Sequence, residues 1–404
     1  MEKIGWRLMI LAMCVAWKLT TPAWAEEPKK MIGPEEQLKR GISESSGEAK
    51  PQQPEFYYGG FVDFGYSVNF NFPDNHLFRN RSTTPRVNDL ELNMAGIYGR
   101  KDPTVDSRWG AELLLHGGQD ARDFGFGVNL PRLQGSDAVP LRHFGRANVS
   151  YLAPVGNGLT LQAGLFNSFI GYESLYAKDN FNYTRAWIAD YSPYLMFGAN
   201  AQYAFNEQWS GAFFIINEYF HLQNANNLPS YGAQVAYKPT TSLTLKQTIY
   251  YGPDQEDTSL QFWRLFSDSI VEWKVNDDVI VAADYQIGTQ EMASTPGNPR
   301  TFYMGATFPI RWHISGPWSV AVRPEFFWDR TGFHTGAEQF IKAVTSTAEY
   351  RLPYKWTNAI ARLEYRYDES TGTNGGFFKG TQNVLAPGQH MVIVGLVLTL
   401  DSPR

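Results

Sequence analysis

The sequence predicts an all-β fold, a transmembrane antiparallel up-and-down β-barrel of about 16 strands (14–18) with short periplasmic turns and long external loops. Three observations predict it. Hydrophobicity alternates with period two from Phe56 onward, connections between candidate strands alternate short and long, and aromatic residues gather beside the short ones. Composition agrees: of 404 residues 43% are hydrophobic, 15% aromatic and 19% charged, yet mean hydropathy is −0.35. A wall with one apolar face and one wet face has that average. No run of 18 apolar residues occurs, which excludes a transmembrane helix. A net charge of −5 gives no electrostatic case for nucleic acid.

The first element is an address. Lys3 and Arg7 precede the apolar run Leu8 to Trp17, and Ala23-Trp24-Ala25 forms a cleavage site, so residues 1–25 read as a secretory signal peptide. Its removal leaves a net charge of −7 and takes Cys14, the one cysteine, so the mature chain rests on backbone pairing rather than disulfides. Residues 26–54 are rich in Glu, Lys, Pro, Ser and Gln and hold no aromatic. Such a stretch buries too little apolar surface to offset its ordering entropy and is expected to be a flexible periplasmic segment. The barrel then occupies 55–404.

Sixteen candidate strands follow, near 56–70, 87–99, 107–117, 142–152, 158–167, 193–205, 208–220 and 230–238, then 242–252, 262–274, 278–288, 300–310, 317–329, 342–352, 356–368 and 389–400. Trp318, Val320, Val322, Pro324, Phe326 and Trp328 share one face, with Ser319, Ala321, Arg323, Glu325 and Phe327 on the other. Arg362, Glu364, Arg366 and Asp368 alternate in the same way with Ala361, Leu363, Tyr365 and Tyr367. A β-sandwich could use that pattern, but so many strands would leave edges in need of protection.

The connections separate the two. Short ones fall at 101–106, 153–157, 206–207, 238–241, 275–277 and 353–355; long ones fall at 71–86, 118–141, 168–192, 221–229, 253–261, 289–299, 330–341 and 369–388. A sandwich has no reason for this, whereas outer-membrane barrels do. Tyr98, Tyr151, Phe205, Tyr237, Trp273, Phe308 and Tyr350 close inward-running strands, and Trp109, Trp209, Trp318 and Trp356 open the next ones. That places them in one belt at headgroup level, where an amphipathic ring has apolar and wet neighbours. A closed ladder satisfies every backbone group in lipid, and about sixteen strands leave a water-filled lumen.

With those strands placed, particular residues resemble a family. Gly59-Gly60-Phe61-Val62-Asp63 with Tyr66 and Asn69-Phe70-Asn71, then Asn88, Leu92, Asn93 and Gly117 to Ala121, are similar to the OmpL-like β-barrel porins of Gram-negative bacteria. Ile170-Gly171-Tyr172-Glu173, Asn180, Asn182-Tyr183-Thr184-Arg185 and Pro193 carry the likeness most strongly. Thr184 stands where the family usually has Ser, and Met196-Phe197-Gly198 where it often has His-Thr-Gly. In the last strand Gly395, Leu398 and Leu400 have the spacing of an assembly signal, although the chain ends Asp401-Ser402-Pro403-Arg404 rather than on an aromatic. The resemblance implies a porin-like channel and no particular solute.

Assigning apolar residues to lipid turns nine acidic and nine basic side chains inward. The pore-lining candidates among them are Arg108, Glu112, Arg146, Asp284, Arg323, Glu325, Arg362, Glu364 and Arg366, joined by Asp89, Glu91, Lys246, Arg264, Asp268, Glu272, Lys274, Glu349 and Arg351. Either they pair and brace a hydrated wall, or acidic and basic rows separate and set a transverse field. Arg323, Arg362 and Arg366 on neighbouring strands are the expected basic patch. Loop 168–192, with Tyr172, Glu173, Tyr176, Lys178, Asp179 and Arg185, is the candidate constriction by analogy with general porins; Tyr172, Glu173, Asp179 and Arg185 are its key residues. Loop 118–141, with Asp120, Arg122, Asp123 and Arg132, is the rival.

His76, His116, His143, His221, His313, His334 and His390 are scattered without metal-ligand spacing, and the sequence holds no G-x-S-x-G and no P-loop. A calcium site at Asp254, Glu256 and Asp257 competes with a solvated acidic loop. The expectation is therefore a non-enzymatic outer-membrane barrel, without cofactor, that lets small hydrophilic solutes diffuse passively. Alternatives are a solute-selective channel with a site at the loop constriction, a non-conducting structural or adhesive barrel, and a lipid-modifying enzyme. Expected partners are outer-membrane lipids, the solutes and the outer-membrane assembly machinery, with a homo-oligomer left open.

Overall fold

A computed structural model describes residues 56–123, 141–220, 222, 226–255, 259–292, 297, 299–354, 357–381 and 384–401. All lie in the unit Gly33–Arg404. The expectations for residues 1–54, for Trp356 and for most of loop 118–141, Arg132 included, fall outside the described residues.

The strands in order are β1 (Phe56–Asn69), β2 (Leu90–Lys101), β3 (Trp109–Gly117), β4 (Phe144–Ala153), β5 (Leu159–Asn167), β6 (Leu195–Ala204), β7 (Trp209–Ile216) and β8 (Ser230–Thr240). They continue as β9 (Leu243–Pro253), β10 (Trp263–Lys274), β11 (Val279–Glu291), β12 (Arg300–Thr307), β13 (Ile310–Ser315), β14 (Trp318–Asp329), β15 (Gln339–Tyr354) and β16 (Thr357–Thr371). A short hairpin, β17 (Phe377–Lys379) with β18 (Val384–Ala386), precedes β19 (Gly388–Asp401). Neighbours along the chain pair antiparallel, and β19 pairs with both β16 and β1, which closes the ring. β12 and β13 together make one strand, since both lie between β11 and β14. The interruption falls at Phe308-Pro309, where proline has no N–H to give to the ladder; its carbonyl still accepts from Ala282 N at 2.9 Å. The barrel therefore has sixteen strands, all of them expected, with β12–β13 running five residues beyond the expected end and the loop hairpin β17–β18 unforeseen.

The faces are inverted relative to a soluble protein. On β16 Leu363 and Tyr365 are 46% and 43% exposed, while Arg362, Glu364 and Arg366 between them are sealed inside. Trp109, Trp209 and Trp318 lie directly across from Tyr151, Tyr237 and Tyr350, with ring centroids 4.8, 4.2 and 4.6 Å apart. The belt beside the short turns is thus built of cross-strand aromatic pairs. Tyr98 does not join it. The β1–β2 register passes from Asp63↔Met94 to Phe64↔Leu92, so Asn93 is an extra residue and both Asn93 and Met94 are buried. This bulge reverses the alternation of lower β2 and turns Tyr98 into the barrel, where its hydroxyl donates to Asp401 at 2.6 Å.

Candidate functional site

The connection from β5 to β6, residues 168–194, lies within the ring of strands. Its entry is fixed by backbone groups. Phe169 O accepts from Gln234 Nε2 of β8 at 2.7 Å and Thr248 Oγ1 of β9 at 2.9 Å. Gly171 N donates to Asp268 of β10 and Tyr172 N to Asp284 of β11, both at 2.9 Å, and the Tyr172 hydroxyl donates to Glu272 at 2.9 Å. Glu173 meets Arg323 of β14 at 2.6 Å.

The tip reaches the opposite wall. Arg362 of β16 donates to Ala177 O at 2.6 Å and Asn180 O at 2.7 Å while Glu349 of β15 neutralises it at 2.7 Å. Glu364 accepts from Tyr183 N at 2.6 Å, Thr184 N at 3.0 Å, the Thr184 hydroxyl and Thr347 Oγ1 at 2.7 Å. The Tyr183 hydroxyl donates to Asp63 of β1 at 2.6 Å and accepts from Asn93 of β2 at 2.7 Å. Gly65 and Gly395 make room for it, since a Cβ at either position would overlap the Tyr183 side chain. On the return, Arg366 donates to Arg185 O at 3.0 Å, Trp187 N donates to Glu325 at 2.5 Å and Trp187 Nε1 to Asp368 at 2.8 Å. The loop is thus fastened to β8–β11, β14–β16 and β1–β2.

Two short helices belong to this region, α1 (Asp120–Asp123) beside the loop and α2 (Trp187–Asp190) within it. Arg185 pairs with Asp120 at 3.2 Å and donates to Leu175 O. From the first external loop, Arg81 donates to Arg185 O at 2.6 Å and pairs with Asp190 at 2.8 Å. Burial pushes the Asp120 carboxyl up to about 7, against the pull of Arg185. For Arg185 burial opposes the charge most strongly, but Asp120, Tyr194, Asp63 and Tyr183 together outweigh it and hold the guanidinium above its ordinary range. Burial also raises the Tyr183 phenol well above its usual value and, helped by Arg264, keeps His334 neutral. Phe78, Trp187, Tyr191, Tyr219, Phe220 and Phe327 form one buried apolar cluster that includes this loop.

The expected lumen residues divide into two groups. Asp284, Arg323, Glu325, Arg362, Glu364 and Arg366 do face inward, but all are buried, at 0–5% exposure. The expected open basic patch of Arg323, Arg362 and Arg366 is corrected: Glu173 and Glu325 neutralise Arg323, Glu349 neutralises Arg362, and Asp368 and Glu325 neutralise Arg366. A guanidinium taken out of water requires such partners. Arg108, Glu112 and Arg146 stay partly open; Arg146 pairs with Glu112 at 2.6 Å and Arg108 donates to Leu152 O at 3.0 Å. Of the loop residues, Tyr172, Glu173 and Arg185 bond as described, whereas Asp179 pairs locally with Lys178 at 2.8 Å.

Asp63, Asn93, Tyr183 and Asp368 were missed as anchors. Strand alternation alone would have turned Asp63 and Asp368 inward, but no periodic signal marks a loop tyrosine. Also unforeseen is an amide ladder on β4–β6: Gln162 donates to Asn148 at 2.8 Å, Asn200 to Gln162 at 3.0 Å and Gln202 to Asn200 at 2.9 Å. Among the described residues no group of three His, Cys, Asp or Glu could hold a metal ion.

The family description "beta-barrel porin-2, OmpL-like" matches residues 55–400. No curated protein matches the chain in sequence. Several solved structures share the fold. An OmpF of Salmonella typhi in complex with daunomycin is 11% identical, with TM-score 0.56, covering 86% of this chain and 97% of that one. The outer membrane channel DcaP of Acinetobacter baumannii is 10% identical, with TM-score 0.54, covering 88% and 100%. An anion-selective porin from Comamonas acidovorans is 12% identical, with TM-score 0.51, covering 86% and 100%.

Proposed function

Because this chain belongs to the OmpL-like β-barrel porin family, we propose that it is an outer-membrane porin whose lumen is narrowed by residues 168–194 and through which small hydrophilic solutes diffuse passively. The observation that carries this reading is the course of that loop, which crosses the barrel and bonds to strands on opposite walls. Width, wall polarity and the loop constriction then decide what passes, with no energy source and no chemical step. Removing residues 174–182 should raise single-channel conductance in planar bilayers. An unchanged conductance would refute the constriction, and absence of any current from the intact chain would refute the channel.

A second reading has a specific observation behind it. The aromatic cluster around Trp187 and Tyr191 leaves less wet cross-section than sixteen strands could enclose. That favours a solute-selective channel with a site at the constriction over a general pore. Liposome swelling with graded sugars, amino acids and organic anions separates them, since selective passage saturates for one class.

A further inference from the structure

Near the periplasmic end of the barrel, Glu349 of β15 faces three guanidinium groups. Arg362 holds its Oε2 at 2.7 Å, while Arg351 and Arg311 approach the same Oε1 at 3.1 and 3.6 Å. One carboxylate neutralises one cation, so the cluster carries two uncompensated positive charges. Arg362 is sealed under the loop and bonded to the carbonyls of Ala177 and Asn180. Arg351 and Arg311 are different: their side chains keep 20% and 29% exposure. The further contacts of Arg311 are uncharged: it donates to the Ser319 hydroxyl at 3.2 Å and stands 5.9 Å from the centroid of the Phe181 ring.

We infer that Arg311 and Arg351 form a binding subsite for small carboxylate solutes on the periplasmic side of the loop. Both guanidiniums already converge on one carboxylate oxygen, so a single incoming carboxylate can reach both. Planar guanidinium groups suit carboxylate geometry, and charge-assisted bonds of this type are among the stronger ones available in a partly wet site. The low-dielectric wall around the cluster concentrates its field on the water below the loop. The subsite deepens the channel reading and needs only that this mouth of the lumen be open to solvent.

The test is calorimetric titration of succinate into the detergent-folded full chain, with heat-modifiable electrophoretic mobility certifying the fold of each variant. The double variant Arg311→Gln/Arg351→Gln should weaken binding by about tenfold or more, the scale of losing hydrogen bonds to a charged group. Glu349→Gln should change it in the opposite direction, because it removes the carboxylate that competes with the solute. Equal binding by the wild type and the double variant, or weaker binding by Glu349→Gln, would overturn the subsite. Tighter binding of inorganic phosphate than of succinate would overturn the assigned class. A barrel that binds succinate as described yet passes no current would uphold the subsite and sink the channel.

Discussion

Glu364 is the place to break the loop's attachment with one isosteric change. Its two oxygens accept from Tyr183 N, Thr184 N and the hydroxyls of Thr184 and Thr347, and its side chain is fully enclosed. In Glu364→Gln one oxygen becomes an amide donor. Turned toward Thr184 it meets that N–H donor to donor, although the hydroxyl can rotate and accept. Turned toward Tyr183 it opposes the shorter backbone bond. At least one charge-assisted backbone bond is lost in either orientation, about 1.5–3 kcal/mol, and the donor left without a partner adds about 1–3 kcal/mol. Together these come to roughly 2.5–6 kcal/mol, or about 70-fold to some 10⁴-fold in the local opening equilibrium. Hydrogen exchange at the Tyr183 and Thr184 amides should accelerate by such a factor while mid-strand amides of β16 change little. In bilayers the variant should show larger or fluctuating conductance. Unchanged protection at both amides would refute the claim that Glu364 anchors the loop.

Because Asn93 is the extra residue of the bulge, deleting it straightens β2 while Met94, Tyr98 and Arg100 keep their pairing and still face inward, so the heat-modifiable folded band should persist, and its loss would refute the register argument. The raised Asp120 carboxyl gives a pH signature. Because its folded value of about 7 exceeds the ordinary carboxylate value, the protonated form favours folding: its contribution is full below about pH 4 and is lost as pH rises toward 7, by up to about 1.4 kcal/mol per unit. Asp120→Asn should lose that slope in denaturant titrations, and parallel profiles for variant and wild type between pH 4 and 7 would refute it.

How much of this was legible in the sequence follows from what sets each feature. Strand number, faces and turn side depend on period-two alternation and on loop length, both local. Val320 and Arg323 therefore declared their faces from the sequence. The Trp–Tyr pairs were legible as positions beside short turns, though not as partners, because register is settled between strands. Asn93 defeated local reading: a bulge shifts parity without any change in composition, so Tyr98 was assigned to the wrong face. The open arginine patch failed for a different reason. Alternation reports direction, and Arg362 does point inward, but what it meets there is Asn180 of a loop 182 residues away in the chain. Tyr183 and Thr184 stood out only through family resemblance and Arg185 also as a charge in the long loop 168–192, with no periodicity to mark them as anchors.

The distribution of the loop's bonds carries a consequence for permeation. Its polar contacts go to β8–β11, β14–β16 and β1–β2, through side chains that are mostly buried and charged. Detaching part of such a network strands desolvated charges, a cost of several kcal/mol for each broken partner. The loop therefore holds as one unit, and passage of a solute need not wait on its motion. Along β4–β6 the inward face instead carries the amides of Asn148, Gln162, Asn200 and Gln202 bonded to one another, with Arg146 and Glu112 partly open beside them. Neutral amides satisfy each other without demanding a loop partner and still exchange hydrogen bonds with water. A wall of that chemistry, facing a loop anchored elsewhere, is where the proposed channel can stay wet while the rest of the lumen is filled.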